Sequence, residues 1–162
     1  MTISVGDTLP EANLLYMGDA GPASVTVSEK TKGRKVIFFG LPGAFTGTCT
    51  SAHVPSFMRT KDALMAKGVD EIICFATDTP HVMQAWGVST GATAAGLTFM
   101  SDSDGSFTKA LGLAFDAPPA GFHGRTLRHS MLVDDGIVTI LNIEEGRGVC
   151  DMSGGENMLD QI

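Results

Sequence analysis

An α/β protein with a central mixed sheet flanked by helices is what the sequence predicts, on three observations. Residues 34–41 (RKVIFFGL) and 71–78 (EIICFATD) are apolar runs with little alternation, the pattern of strands buried on both faces of a parallel sheet. Between them Val54, Phe57, Met58, Leu64 and Met65 recur at spacings of three, four and seven, which makes one apolar stripe on a helix. Residues 130–133 and 137–143 flank Asp134-Asp135-Gly136, and Asp-Gly is a strong tight-turn signal, so an antiparallel hairpin follows.

The elements follow in order. The first helix starts near Cys49, meets Pro55, where a kink or local break is expected because proline lacks an N–H, and closes at Lys67-Gly68. Strand, helix and strand form a βαβ unit, with the cysteine at the C-terminal edge of the first strand, where open α/β sheets usually place their sites. Thr79 and Pro80 carry a helix-start signature, N-cap then first helical position. Residues 91–96 read as a loop, 104–113 as a short helix, 117–121 as irregular and 156–161 as a closing helix. No linker, repeat or low-complexity tract divides residues 1–162, so one domain is expected. A βαβ unit followed by a hairpin and helix is the order a thioredoxin-like sheet needs, although the CxxC redox pair is missing.

Composition excludes several function classes. With 162 residues, 43% of them hydrophobic, the chain can bury one substantial core. A net charge of −7 argues against a nucleic-acid surface, which needs a clustered basic face. The first residues show neither a basic n-region nor an apolar h-region, and no apolar run approaches a membrane span. Three cysteines with no CxxC do not make a secreted disulfide framework, so a reducing compartment is expected: the cytoplasm, or an organellar matrix if a presequence was removed.

The chemistry concentrates in Pro42-Gly43-Ala44-Phe45-Thr46-Gly47-Thr48-Cys49. The first N–H groups of a helix lack intrahelical partners and, with the macrodipole, favour an anion. A cysteine placed there can ionise well below the free value of about 8.5 and attack electrophiles. The alternative is a small buried apolar side chain, a common fate of unpaired cysteine. His53, four residues on, makes a Cys–His metal pair conceivable, but zinc takes three or four ligands and no second cluster supplies them.

Pro42, Thr46 and Cys49 match the Pro-x-x-x-Thr-x-x-Cys signature of the peroxiredoxins. Residues 71–87, 107–112, 128–131, 135–136 and 141–142 resemble the type II or peroxiredoxin-5-like subgroup, so the resemblance runs nearly end to end. It implies a thiol-dependent peroxidase that reduces hydrogen peroxide and alkyl hydroperoxides through a Cys49 sulfenic acid, works as a homodimer, and uses no metal or bound organic cofactor. Sulfur attacks one peroxide oxygen while the other leaves, and both gain negative charge, so the site needs a thiolate and hydrogen-bond donors. Cys49 supplies the sulfur and one N–H, Thr46 directs its hydroxyl to the same point, and Pro42 shapes the loop and shields the sulfur. Arg128, brought from the first hairpin strand, adds a permanent charge. Each has a plainer reading: Thr46 as an N-cap, and Arg128 as a solvated charge with Arg125 as its local competitor. Phe45 and Phe122 line an apolar mouth for organic hydroperoxides or pack in the core or a dimer interface. Gly47 stands where many members have proline, so a looser loop is expected.

The sulfenic acid must return to thiol before further peroxide drives it to sulfinic acid. Cys74 matches the second cysteine of plant type II members, and Cys150 lies near the late resolving cysteine of the animal form. Otherwise an external thiol acts, glutathione with glutaredoxin or thioredoxin. The rival from another class is a thioredoxin-fold redox sensor or docking module without significant turnover.

Overall fold

The computed structural model describes residues 1–162. Nine strands and five α-helices run in the order β1 (Asn13–Gly18), β2 (Gly21–Thr26), α1 (Val27–Thr31), β3 (Lys35–Gly40), α2 (Val54–Ala66), β4 (Glu71–Ala76), α3 (Pro80–Ser89), β5 (Thr98–Ser101), α4 (Ser106–Ala110), β6 (Ala114–Ala117), β7 (Phe122–Thr126), β8 (His129–Asp134), β9 (Ile137–Ile143) and α5 (Gly155–Gln161). Seven strands form one sheet in the order β2-β1-β5-β4-β3-β8-β9, and β6 pairs with β7 apart from it. The β3–β4 and β4–β5 pairs are parallel; β1–β2, β1–β5, β3–β8 and β8–β9 are antiparallel. The mixed sheet of a thioredoxin-like fold is therefore present, with β3 and β4 at its middle.

Side-chain alternation explains why β3 reads as an unbroken apolar run. Ile37 and Phe39 enter one core with Cys49, Phe57, Leu64, Cys74, Met83, Trp86 and Met158, while Val36 and Phe38 enter a second with Leu14, Ile73, Phe75, Phe107, Met131 and Val133. Each fully buried large side chain contributes about 1.5–3 kcal/mol relative to exposure, so a polar residue at any of positions 36–39 costs one core or the other.

Several expectations shift in detail. The break anticipated at Pro55 is a π-helical turn, Cys49–His53, running into α2, with Val54 N–H reaching back to the Cys49 carbonyl. Pro55 has no N–H to continue the i→i−4 ladder at that point, which favours the wide turn. The helix expected over 104–113 is only Ser106–Ala110. Strands β1, β2, β5, β6 and β7 were not expected. At the predicted hairpin, Asp135 and Gly136 have φ of 47° and 82°, the double left-handed conformation of a type I′ turn. Thr79 caps α3 by accepting from Val82 N–H at 3.4 Å.

Candidate active site

The loop between β3 and α2 leaves the sheet at its middle and is fixed from the neighbouring parallel strand. Asp78, just past β4, accepts from Ala44 N–H at 2.8 Å and from Arg125 Nη1 at 2.9 Å, and Arg125 Nη1 also donates to the Pro42 carbonyl at 3.3 Å. Arg125, weighed above as a competitor for Arg128, is thus spent on holding the loop. Phe45 has φ of 62°, a left-handed conformation rare for an aromatic residue, and the residue is 59% exposed.

Helical backbone begins at Gly47, and the first intrahelical bond runs from Thr50 N–H to the Thr46 carbonyl at 3.1 Å. Thr46 therefore occupies the N-cap position and Cys49 the third helical one, where the N–H has no partner in the helix. The Thr46 hydroxyl does not cap. It donates to the Gly43 carbonyl at 2.7 Å, so its proton is committed and only its lone pairs remain available. That corrects the expectation of a hydroxyl donor: Thr46 can accept from an incoming O–H. Gly47 has no positive φ and a Cβ there would meet nothing within 4 Å, so a side chain at this position meets no steric bar.

Cys49 is 1% exposed. Arg128 Nη2 donates to its sulfur at 3.2 Å. Arg128 lies one residue before β8 rather than within the strand, is itself buried, and forms no salt bridge with a carboxylate. Its Nε has no partner. Its Nη1 donates to His53 Nδ1 at 3.2 Å, and His53 Nε2 lies 3.1 Å from the Ser153 carbonyl. A carbonyl only accepts, so the proton sits on Nε2 and Nδ1 is the acceptor. Burial first, and the guanidinium second, hold His53 well below its ordinary pKa and keep it neutral. Both nitrogens of the residue considered as a metal partner are committed to protein groups. Neither His53 nor Asp78 was assigned a site role from the sequence; for Asp78, a carboxylate just past the end of the strand beside β3 was the available signal.

A cleft lined by Pro42, Thr46, Thr48, Phe122, Arg128 and Arg147 leads to this cluster. Phe122 lines this cleft, while the Phe45 ring stands 6.5 Å from that of Trp86. A larger cleft beside Tyr16, Lys30 and Glu71 includes none of the site residues. Cys74 lies at the centre of β4, fully buried, and burial pushes its thiol well up. Cys150 is half-buried in the segment between β9 and α5, its thiol raised chiefly by burial.

The redoxin family model matches residues 4–159. The chain belongs to the redoxin family. Its relatives place this redoxin among the type II peroxiredoxins, which are thiol peroxidases. Peroxiredoxin-2C of Oryza sativa subsp. japonica is 42% identical over 161 residues, 99% of this chain and 98% of its own. Peroxiredoxin-2E-2, chloroplastic, of the same organism is 44% identical over 165 residues, 99% of this chain and 73% of its own. The structure of reduced Prx3 from Vibrio vulnificus in complex with H2O2 superposes with a TM-score of 0.90 at 40% identity, covering 99% of both chains. No helix of this redoxin is long and apolar enough to cross a membrane.

Proposed function

We propose that Cys49 is the sulfur that attacks hydrogen peroxide and alkyl hydroperoxides, with Arg128 and the Cys49 N–H as oxyanion donors. Thr46 accepts the hydrogen of the attacked O–H, and Pro42 walls the cleft. The observation that carries this reading is the buried Arg128 guanidinium, 3.2 Å from Cys49 Sγ and without a carboxylate. Attack forms an S–O bond and breaks the O–O bond; sulfur is oxidised to sulfenic acid, and the leaving oxygen departs as water or alcohol after taking a proton.

Recycling falls to an external thiol, glutathione with glutaredoxin or thioredoxin, with Cys150 as the internal candidate. Cys74 sits mid-strand between Phe39 and Phe99 of neighbouring strands, and engaging it would mean dismantling the sheet's centre. The 162 residues act as one domain, and the exposed Phe45, held in a strained conformation, supports a homodimer built on that loop. A cytoplasmic or organellar-matrix setting suits three unbridged cysteines.

Steady-state peroxide consumption with each reductant tests the reading: Cys49→Ser must abolish it, and sustained activity in that variant sinks the assignment. Intact mass after one equivalent of peroxide, on wild type, Cys74→Ser and Cys150→Ser, names the resolving thiol. An internal disulfide lost only in Cys150→Ser identifies Cys150, and a glutathione adduct in wild type identifies the one-cysteine cycle.

A further inference from the structure

Glu144 is a buried carboxylate with no salt bridge. A buried charge needs compensating donors. Here they come from one segment: Asp151 N–H, Ser153 N–H and Ser153 Oγ all donate to Glu144 Oε1 at 2.8 Å. The backbone N–H of Glu144 donates in turn to the Arg128 carbonyl at 3.0 Å. Residues 145–153, which include Cys150, are thereby drawn into a clasped loop. A second tie, from Thr48 Oγ1 to the Gly148 carbonyl at 3.2 Å, presses that loop onto the turn that presents Cys49.

The clasp continues into the site. The carbonyl of Ser153, whose N–H and hydroxyl are both held by Glu144, accepts from His53 Nε2, and His53 Nδ1 accepts from the Arg128 guanidinium. The circuit closes on itself: Arg128 is bound to Glu144 through its main chain and to the Glu144-held loop, by way of His53, through its side chain. The guanidinium's remaining terminal nitrogen, Nη2, points at the sulfur.

We propose that Glu144 is a positioning residue for peroxide reduction: by fixing Ser153 it sets the His53 ring that aims Arg128 at Cys49. The inference rests on the reading of Cys49 and Arg128 given above. It also means that Cys150 becomes free to move only when the clasp opens, and that opening withdraws the guide from Arg128.

The test uses the reduced full-length protein with Glu144→Ala, Glu144→Asp and Glu144→Gln. Glutamine keeps a side-chain oxygen that can accept the same donors; aspartate keeps the charge but is one methylene too short to reach them. Ala and Asp are expected to slow the reaction with H2O2 about 10- to 100-fold, the scale of a misplaced reacting group, whereas Gln stays close to wild type. In Ala and Asp the His53 Nε2 proton is expected to exchange with solvent faster than in wild type, the ring 15N shifts to move, and Cys150 to react faster with a thiol reagent. If Glu144→Ala does not fold, Glu144→Asp carries the comparison. Folded variants with the wild-type peroxide rate, or a slowed rate with unchanged His53 shifts, overturn the proposal. An active Cys49→Ser protein would defeat the reading of the site; a dead Cys49→Ser beside a fully active Glu144→Ala defeats this inference alone.

Discussion

Replacing Arg128 by methionine removes the guanidinium while keeping much of its buried volume. Two contacts go: Nη2 to Cys49 Sγ and Nη1 to His53 Nδ1, both 3.2 Å. The bond to sulfur exists before the reaction, so it aids attack only as far as it strengthens in the transition state. On the proposed reading, the contact to the departing peroxide oxygen forms only during reaction, and losing one such donor costs about 2.7–4 kcal/mol, or roughly 10²–10³ in rate. That second contact dominates, and a fall of about that size is expected. Stability should move less. His53 Nδ1 is left unsatisfied at a cost of about 1–3 kcal/mol, and removal of a buried charge without a carboxylate partner offsets it. The sole tryptophan offers the assay, because Trp86 Nε1 donates at 3.1 Å to Thr50 Oγ1, next to Cys49. Stopped-flow fluorescence of the reduced protein mixed with H2O2 gives the rate. A folded Arg128→Met protein that reacts as fast as wild type refutes the reasoning.

Thr46→Val removes the hydroxyl bound to Gly43 and is expected to lower the peroxide rate about tenfold or more, with Thr46→Ser near wild type, in the same stopped-flow assay. Burial holds His129 down to about 4 from an ordinary 6.5, partly countered by its bond to the Leu127 carbonyl. The unfolded chain therefore takes up this proton first, so stability present at pH 7 is lost as pH falls towards 4, by about 3 kcal/mol at about 1.4 kcal/mol per pH unit. Urea melts at pH 7 and 4.5 should show most of that drop, about 2.5 kcal/mol, and His129→Gln a smaller one; equal drops contradict the assignment. A Cβ at Gly40 would collide with the His129 ring and lie 2.9 Å from Phe75 Cζ, so Gly40→Ala is expected to destabilise by about 1–3 kcal/mol, and an unchanged urea midpoint would show that the ring yields freely.

The sheet's centre was legible because β3 and β4 are apolar on both faces, and the Asp135-Gly136 turn because its dihedrals admit few residues. The edges were not. In β1 only Leu14 is fully buried, β5 has four residues, and β7 carries Phe122-His123-Gly124-Arg125-Thr126, so none shows a clean period. The motif carried Pro42, Thr46 and Cys49, and the resemblance carried Arg128, 79 positions from the sulfur it touches. Arg125, His53, Asp78 and Glu144 look ordinary in sequence. Their roles depend on partners that only the closed sheet brings near, such as Ser153, 100 positions from His53.

The central claim concerns which sulfur receives the peroxide oxygen. Trapping sulfenic acid with dimedone after one equivalent of H2O2, followed by peptide mass mapping, answers it directly. The adduct is expected on Cys49, in wild type and in the Cys74→Ser/Cys150→Ser protein alike. Peroxide consumed while Cys49 stays unlabelled, or a first adduct on Cys74 or Cys150, would contradict the account.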